Sequence, residues 1–200
     1  MDNNINNNMN DNVDNTNDYK VLFHKSGILL EKMKKNNYQV SMEIENKSLH
    51  LLSIVDFELL KLLYDLNQDI YEKIIFDKLN DNEVTATLLM KHFFVDLGLP
   101  QRYSYLHIEK KIAEEKNCIE FYSTPICSVI PEVIPDSAST VPLEKMITKC
   151  EMVNDTTLKI TCFISFQENH SFPLFIEKFA GQIIFKIFNR LKQFIEKFRI

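Results

Sequence analysis

The chain has 200 residues, of which 45% are hydrophobic and 26% charged, and its net charge is −5. It has only three glycines, too few for the GxGxxG and GxxxxGK[ST] loops that hold nucleotide phosphates or for the G-x-S-x-G turn of many hydrolases. Residues 1–18 hold four of the 28 acidic residues and none of the 23 basic ones, so the rest is nearly neutral. A near-neutral body lacks the basic surface that nucleic-acid binding needs, and we expect no nucleic-acid partner.

The four cysteines, Cys118, Cys127, Cys150 and Cys162, lack the C-x₂₋₄-C spacing of a zinc site. We therefore expect free thiols in a reducing compartment, no metal and no cofactor. The N-terminus lacks the apolar core of a signal peptide, and no uncharged apolar run of about 18 residues could span a membrane. These features predict a cytoplasmic protein, with peripheral contact to membranes as a further expectation.

Residues 1–18 contain nine asparagines and are predicted to be a disordered tail, so that a single domain begins at residue 19 and runs to residue 200. Residues 19–37 predict a short strand and then a helical stretch, with Gly27 at the break. Apolar and polar residues alternate in 38–47, which is typical of a half-buried strand.

Two short helices are predicted next. In 53–67, Ser53 is a plausible N-cap and five leucines form an apolar face. In 69–79, Asp69 is a plausible cap, and isoleucines and a leucine recur at helical spacing.

The rest of the chain predicts strands and then one long helix. The strands are 83–95, 102–112, 117–123, 143–153 and 157–167, the last two joined by a turn at Asn154 and Asp155. Residues 124–142 contain four of the six prolines and predict a long extended connection. Residues 172–198 form an amphipathic helix of about 37 Å. This order predicts an α+β fold in which a curved antiparallel sheet wraps around the C-terminal helix.

Four segments resemble the START-like, or helix-grip, superfamily, and within it most closely the VASt domain of sterol transporters at membrane contact sites. They are DFELLKLLYDLNQDIYEKIIFDKL (56–79), GLPQRYSY (98–105), TPICSVIPEVIP (124–135) and LKITCFISFQENHSFPLFIEKFAGQIIFKI (158–187). The resemblance implies a pocket for a sterol or other lipid between sheet and C-terminal helix. The chain departs from the VASt pattern in having no preceding GRAM-type region, no trailing transmembrane helix and no tryptophan, which puts membrane tethering in question.

With this resemblance, apolar residues on the presumed inner faces become candidate ligand contacts. From strands we select Val84, Leu88, Met90, His92, Tyr103, Tyr105, Ile160, Cys162, Ile164 and Phe166, and from the helix Phe179, Ile183 and Ile187. The same stripes are typical of a closed core, and the sequence leaves both interpretations open.

Several polar candidates also have two interpretations. His92 would orient a sterol hydroxyl or lie at the rim of the core. His107, with Tyr103 and Tyr105, would serve acid–base chemistry or pack across strands. Arg102 is expected to pair with a carboxylate such as Asp96, or to lie on the surface.

The proline-containing connection is the candidate gate or membrane contact, through Val129, Ile130, Val133 and Ile134. Phe185 projects away from the apolar stripe of the C-terminal helix beside lysines, which suits either an anionic membrane or an ordinary solvated face.

Three functions follow. The first is a lipid-binding or lipid-transfer domain. The second is a protein-interaction module on the same fold with a closed cavity. The third, a cyclase-like enzyme, has less support because no carboxylate–histidine pair is placed for acid–base work.

Overall fold

The computed structural model describes residues 20–34, 36–113, 117–170 and 172–199. The tail predicted over residues 1–18 lies outside these residues. The strands are β1 (Lys20–Lys25), β2 (Ile28–Lys34), β3 (Asn37–Glu45), β4 (Tyr71–Asn80), β5 (Glu83–Met90), β6 (Arg102–Ala113), β7 (Cys118–Pro125), β8 (Ser139–Thr140), β9 (Leu143–Asn154) and β10 (Thr157–Phe166). The α-helices are α1 (Phe57–Asp65) and α2 (Leu174–Lys197), and short 3-10 helices span Leu51–Ile54 and Val95–Leu97.

The strands form one sheet in the order β1-β2-β3-β10-β9-β7-β6-β5-β4, and neighbours along this order are antiparallel. β8 adds a short parallel pairing to β6. The sheet curves around α2, which contacts β1, β2, β3 and α1. This arrangement confirms the predicted α+β helix-grip fold.

The register at the centre of the sheet explains why one face is the core. β10 pairs with β3 so that Leu158 lies opposite Ile44, Ile160 opposite Met42, and Cys162 opposite Val40. All of these side chains are buried. Because successive residues of a strand point to opposite faces, the residues between them face away from the core.

The helix predicted over 53–67 forms, but it begins later. Asp56, not Ser53, is the N-cap of α1, and its carboxylate accepts hydrogen bonds from the backbone N–H groups of Glu58 and Leu59 at 2.9 and 3.1 Å. Ser53 lies in the preceding 3-10 helix, where its hydroxyl donates to the carbonyl of His50 at 2.7 Å.

The helical stretch predicted within 19–37 is wrong, because residues 28–34 are strand β2. Ser26 and Gly27 both have positive φ, 55° and 70°, as a two-residue hairpin turn requires. Ile28 and Leu30 are fully buried against the core, a period of two that Leu29 between them obscures in the sequence.

The helix predicted over 69–79 is also wrong, because these residues lead into and form β4. Ile74 and Ile75 suit either structure by spacing alone. They are β-branched, however, and the strand pairs along its length with β5, from Tyr71 opposite Met90 to Asn80 opposite Glu83. β4 is an edge strand, which fits its exposed charged residues.

The strand predicted over 83–95 ends at Met90, and the following residues form a loop and a 3-10 helix that ends at Gly98, with φ of 66°. The proline-containing connection 126–138 folds against the sheet. Ile134 packs with Leu89 and Tyr103 in a small cluster separate from the main core. The side chains of Leu106 and Ile108 belong to the main core, so Tyr103 points to the opposite, outer face of β6.

None of the helices in the described part of the chain combines the length and apolar composition needed to cross a bilayer.

Candidate functional site

The candidate site is a cavity of about 140 Å³ between α1, α2 and the inner face of the sheet. The lining residues are predominantly apolar: Leu59, Leu60, Leu63, Tyr64, Tyr71, Ile108, Phe121, Ser123, Met146, Thr148, Cys150, Ile160, Cys162, Ile164, Ile184, Ile187, Phe188 and Leu191. The long β9 and β10 strands form its floor, and α2 covers it.

Four of the candidate ligand contacts line this cavity: Ile160, Cys162, Ile164 and Ile187. Five others lie in or against the surrounding main core without lining it: Val84, Leu88, Met90, Phe166 and Ile183.

The remaining candidates lie elsewhere. Tyr103 is on the outer face of the sheet, and Tyr105 packs against the same cluster. Phe179 stacks edge-on with Phe93 and Phe94, at ring distances of 5.2 and 4.7 Å. His92 is exposed, and its Nε2 lies 2.6 Å from the carbonyl oxygen of Leu99.

The polar residues weighed as chemical groups have surface partners. His107 Nε2 lies 3.9 Å from a Glu83 carboxylate oxygen, with both side chains more than a third exposed. The predicted Arg102–Asp96 pair does not form. Arg102 donates to the hydroxyl of Ser139 at 2.8 Å and the carbonyl of Thr140 at 3.2 Å, because β8 runs beside its strand.

Of the four residues selected as a gate, three are exposed to solvent and one is buried against the outer face of the sheet. Val129 and Ile130 are 62% and 64% exposed, and Val133 is 36% exposed. Ile134 is buried in the outer cluster. Phe185, expected to project from α2, is half-buried against Phe23 of β1 at a ring distance of 4.3 Å, because the unpredicted hairpin β1–β2 covers that face of the helix.

Sequence reasoning missed most of the cavity wall. α1 supplies Leu59, Leu60, Leu63 and Tyr64, and β7 and β9 supply Phe121, Ser123, Met146, Thr148 and Cys150. The lining residues of β7 and β9 recur with a period of two, and this alternation predicts that they share one face of each strand. The alternation does not predict that these strands lie under α2, since strand order is a tertiary property.

The polar groups of the cavity are hydroxyls and thiols. The rings of Tyr64 and Tyr71 meet edge-on at 5.3 Å. Burial raises the pKa of both phenols, so both stay neutral at physiological pH. Burial also raises the pKa of the Cys162 thiol to about 11 and that of Cys150 still further, which makes both thiols poor nucleophiles.

The N-terminal half of α2 is held by Glu177. Its carboxylate accepts hydrogen bonds from Lys32 at 2.5 Å and from the Tyr38 hydroxyl at 2.6 Å. Burial alone would raise the pKa of Glu177, but these two donors outweigh it and the pKa is lowered. The same carboxylate, together with burial, raises the pKa of Tyr38.

A second tie joins α2 to the segment after α1. Asp69 accepts hydrogen bonds from Arg190 and Lys186, and these cations hold the pKa of its carboxyl well below the usual range. Arg190 also donates to the Asn67 side-chain oxygen at 3.0 Å and to the Leu66 carbonyl at 3.3 Å.

One exposed apolar surface was not singled out from the sequence. It comprises Phe93, Val95, Leu97, Leu174 and Phe175, each at least 38% exposed, and we call it the apolar end patch. Phe94 contacts the rings of Phe175 and Phe179 at 6.0 and 4.7 Å, and these contacts join the patch residues of the 93–97 loop to those of α2.

Neither a protein-family model nor a curated protein matches this sequence. Solved structures do. Human StAR-related lipid transfer protein 5 is 12% identical with a TM-score of 0.66, over 92% of this chain and 89% of that chain. The human StarD13 lipid transfer and protein localization domain is 10% identical with a TM-score of 0.66, over 90% of each chain. A STAR-related lipid transfer protein from Xanthomonas axonopodis is 11% identical with a TM-score of 0.61, over 90% of this chain and 99% of that chain. At such identities the likeness is one of fold, and the chain has the START-like helix-grip fold.

Proposed function

We propose that this chain binds a sterol or similar lipid in the cavity under α2 and carries it between membranes, without catalysis. The observation that carries the proposal is the apolar cavity enclosed by α1, α2 and the inner face of the sheet. The fold supports it, because lipid transfer proteins share this fold. The sequence likeness to VASt domains favours a sterol among lipids.

The size of the cavity indicates a closed state. Ligand pockets for drug-sized molecules measure about 300–1,000 Å³, whereas an engineered cavity of about 150 Å³ accommodates benzene. At about 140 Å³, this cavity has to enlarge before it holds a whole lipid. Movement of α1 or α2 away from the sheet would provide the space.

We also propose that the apolar end patch is where the protein meets a bilayer. Its five side chains lie at the N-terminal end of α2, whereas residues 184–191 of the same helix line the cavity, so a lipid leaving the membrane would pass along α2 to reach it. Lys91 and Lys178 are exposed beside it; of the neighbouring acids, Asp96 is exposed and Glu177 is paired with Lys32. The two lysines suit an anionic lipid surface.

The test is lipid extraction from the purified full chain, followed by mass spectrometry, together with titration by the fluorescent sterol dehydroergosterol. We expect a copurified lipid and saturable binding. Cys162→Leu fills part of the cavity and should weaken binding by at least about tenfold. Cys127→Leu makes the same change at an exposed position and should leave binding unchanged.

The small cavity also favours a second candidate, a protein-interaction module with a closed interior. Absence of copurified lipid and of saturable sterol binding would favour that module. Sterol binding that Cys162→Leu leaves intact would place the ligand outside the cavity and contradict the proposed site.

A further inference from the structure

The polar part of the cavity lining carries no formal charge. Among the described residues that line it there is no aspartate, glutamate, lysine, arginine or histidine. What it offers instead are the hydroxyls of Tyr64, Tyr71, Ser123 and Thr148, together with two thiols.

Most of these hydroxyls have no partner within the protein. Thr148 contacts the sulfur of Cys162 at 3.5 Å. The side-chain oxygens of Tyr64, Tyr71 and Ser123 form no hydrogen bond with any described residue. Tyr64 is 8% exposed and Ser123 2% exposed, so bulk water has little access to these two side chains, whereas Tyr71 is half-buried.

These unpaired oxygens border the cavity itself. Every side-chain nitrogen or oxygen atom that is fully buried in the described chain has a hydrogen-bond partner. The unpaired oxygens of Tyr64 and Ser123 therefore face accessible space, and the space that both residues line is the cavity. α1 supplies Tyr64 and β7 supplies Ser123, so one hydroxyl belongs to the helical wall of the cavity and the other to the sheet.

From this geometry we propose that the cavity selects an uncharged lipid whose single hydroxyl or carbonyl oxygen hydrogen-bonds to Tyr64, Tyr71 and Ser123. The inference rests on the proposed function and adds the chemical class of the ligand. A phenol donates to an oxygen acceptor, and a serine hydroxyl both donates and accepts, so together they satisfy an alcohol completely.

The same lining disfavours charged lipids. An ionised carboxylate or phosphate inside it would lose its water without gaining a cation, and burial of an unpaired charge is far more costly than burial of a neutral hydroxyl. Fatty-acid anions and phospholipid headgroups are therefore excluded from the interior, whereas a neutral lipid with one hydroxyl, such as a sterol, is accepted.

The first test varies the ligand. The full chain is loaded with dehydroergosterol, which is then displaced by cholesterol, by cholestane, which lacks the hydroxyl, and by oleate, which is an anion. All are delivered from cyclodextrin. Cholesterol should bind about 2- to 10-fold more tightly than cholestane for each hydrogen bond that it gains. Oleate should displace the probe least.

The second test varies the protein. Tyr64→Phe removes one hydroxyl and keeps the ring, and Ser123→Ala removes the other with little change in volume. Each should weaken cholesterol binding by about 2- to 10-fold and leave cholestane binding unchanged. Tyr103→Phe is the matched control, because this buried tyrosine lies on the outer face of the sheet.

The outcomes separate the two proposals. Absence of saturable dehydroergosterol binding overturns the proposed function, and this inference with it. Saturable dehydroergosterol binding with cholestane equal to cholesterol, or with oleate as strong as either, overturns the inference alone. An equal effect of Tyr103→Phe also overturns it, since the loss would then not come from the cavity hydroxyls.

Discussion

Asn46 fastens the C-terminal end of α2 to the sheet. It follows β3, is 2% exposed, and its side-chain nitrogen donates to the carbonyls of Ile195 at 2.6 Å and Phe198 at 2.9 Å. Its side-chain oxygen accepts from the backbone N–H of Ser48 at 2.8 Å. One buried amide thereby donates to two carbonyls at the end of the helix.

Two substitutions of Asn46 test the role of its side-chain amide in holding the end of α2. Asn46→Ala loses all three hydrogen bonds at about 1 kcal/mol each, and we expect a loss of about 2–3 kcal/mol because water reaches the end of the helix. Asn46→Asp keeps the acceptor for Ser48 but points a carboxylate at two carbonyls, at the negative end of the helix dipole. We expect it to lose about 4 kcal/mol and to be the less stable variant.

The assay is guanidinium unfolding of the full chain at pH 7. Asn154→Asp is the control, because Asn154 is exposed and uses only its oxygen, as the acceptor from the backbone N–H of Thr156 at 3.0 Å. That variant should stay within about 0.5 kcal/mol of the parent. An Asn46→Asp variant as stable as Asn46→Ala would refute the reasoning, because a carboxylate held against the two carbonyls has to cost stability beyond the loss of the donated hydrogen bonds. Lowering the pH toward 4 should reduce the difference in stability between Asn46→Asp and Asn46→Ala, since a protonated carboxyl can donate a hydrogen bond.

Three further outcomes are expected. Gly181→Ala should stabilise the chain by up to about 1 kcal/mol in thermal unfolding, because the added methyl meets only a Leu30 methyl at 3.4 Å; a lower melting temperature would contradict this. Phe175→Asp should weaken cosedimentation with anionic vesicles severalfold while sterol binding in solution is kept. Cosedimentation equal to that of the parent chain would show that the apolar end patch is not the membrane contact. The pKa of Asp69 is lowered from 3.8, so its contribution to the free energy of unfolding is present at neutral pH and is lost as the pH falls below about 4. Since its side chain is 47% exposed, that contribution is about 0.5 kcal/mol, and the stability gap to Asp69→Asn should shrink between pH 7 and pH 2.

Hydrophobic periodicity predicted the secondary structure correctly where one face of an element is buried and the periodic segment is long. The α2 stripe and the alternation in β3 and β10 predicted both the elements and the face that meets the core. The pattern failed in residues 28–34 and 69–79, where short apolar runs fit two periods. There, pairing with a neighbouring strand decided the structure, and no local signal reports that pairing.

The site was predictable only in part, for a related reason. Ile160, Cys162 and Ile164 were placed on the cavity side because apolar residues alternate along their strand. Tyr103 was selected as a ligand contact, yet the proline-containing connection covers the outer face of its strand and buries it there. Whether a buried residue faces the cavity or the outer cluster depends on which segment covers each face.

The ties on the two helices indicate which side of the cavity opens. α2 is fixed near one end by Glu177 and at the other by Asn46, and both anchors are on the sheet. α1 has nine residues. Beyond it, Asp69 pairs with Lys186 and Arg190 of α2, and Arg190 also donates to Asn67 and to the Leu66 carbonyl. Lifting α2 would break its ties at both ends, whereas displacing α1 breaks these ties alone, of which the Asp69 ion pairs are half-exposed.

Asp69→Asn should therefore speed lipid exchange. Losing about 0.5–1 kcal/mol from the closed state raises the opening rate by about 2- to 5-fold. The measurement is stopped-flow uptake of dehydroergosterol by the full chain. Asp65→Asn is the control, since Asp65 pairs with Lys61 at 2.7 Å within α1 and makes no bridge to α2. An unchanged uptake rate, or the same increase from Asp65→Asn, would contradict opening between α1 and α2, because the Asp69 ion pairs join α2 to the segment after α1 whereas the Asp65 pair lies within α1.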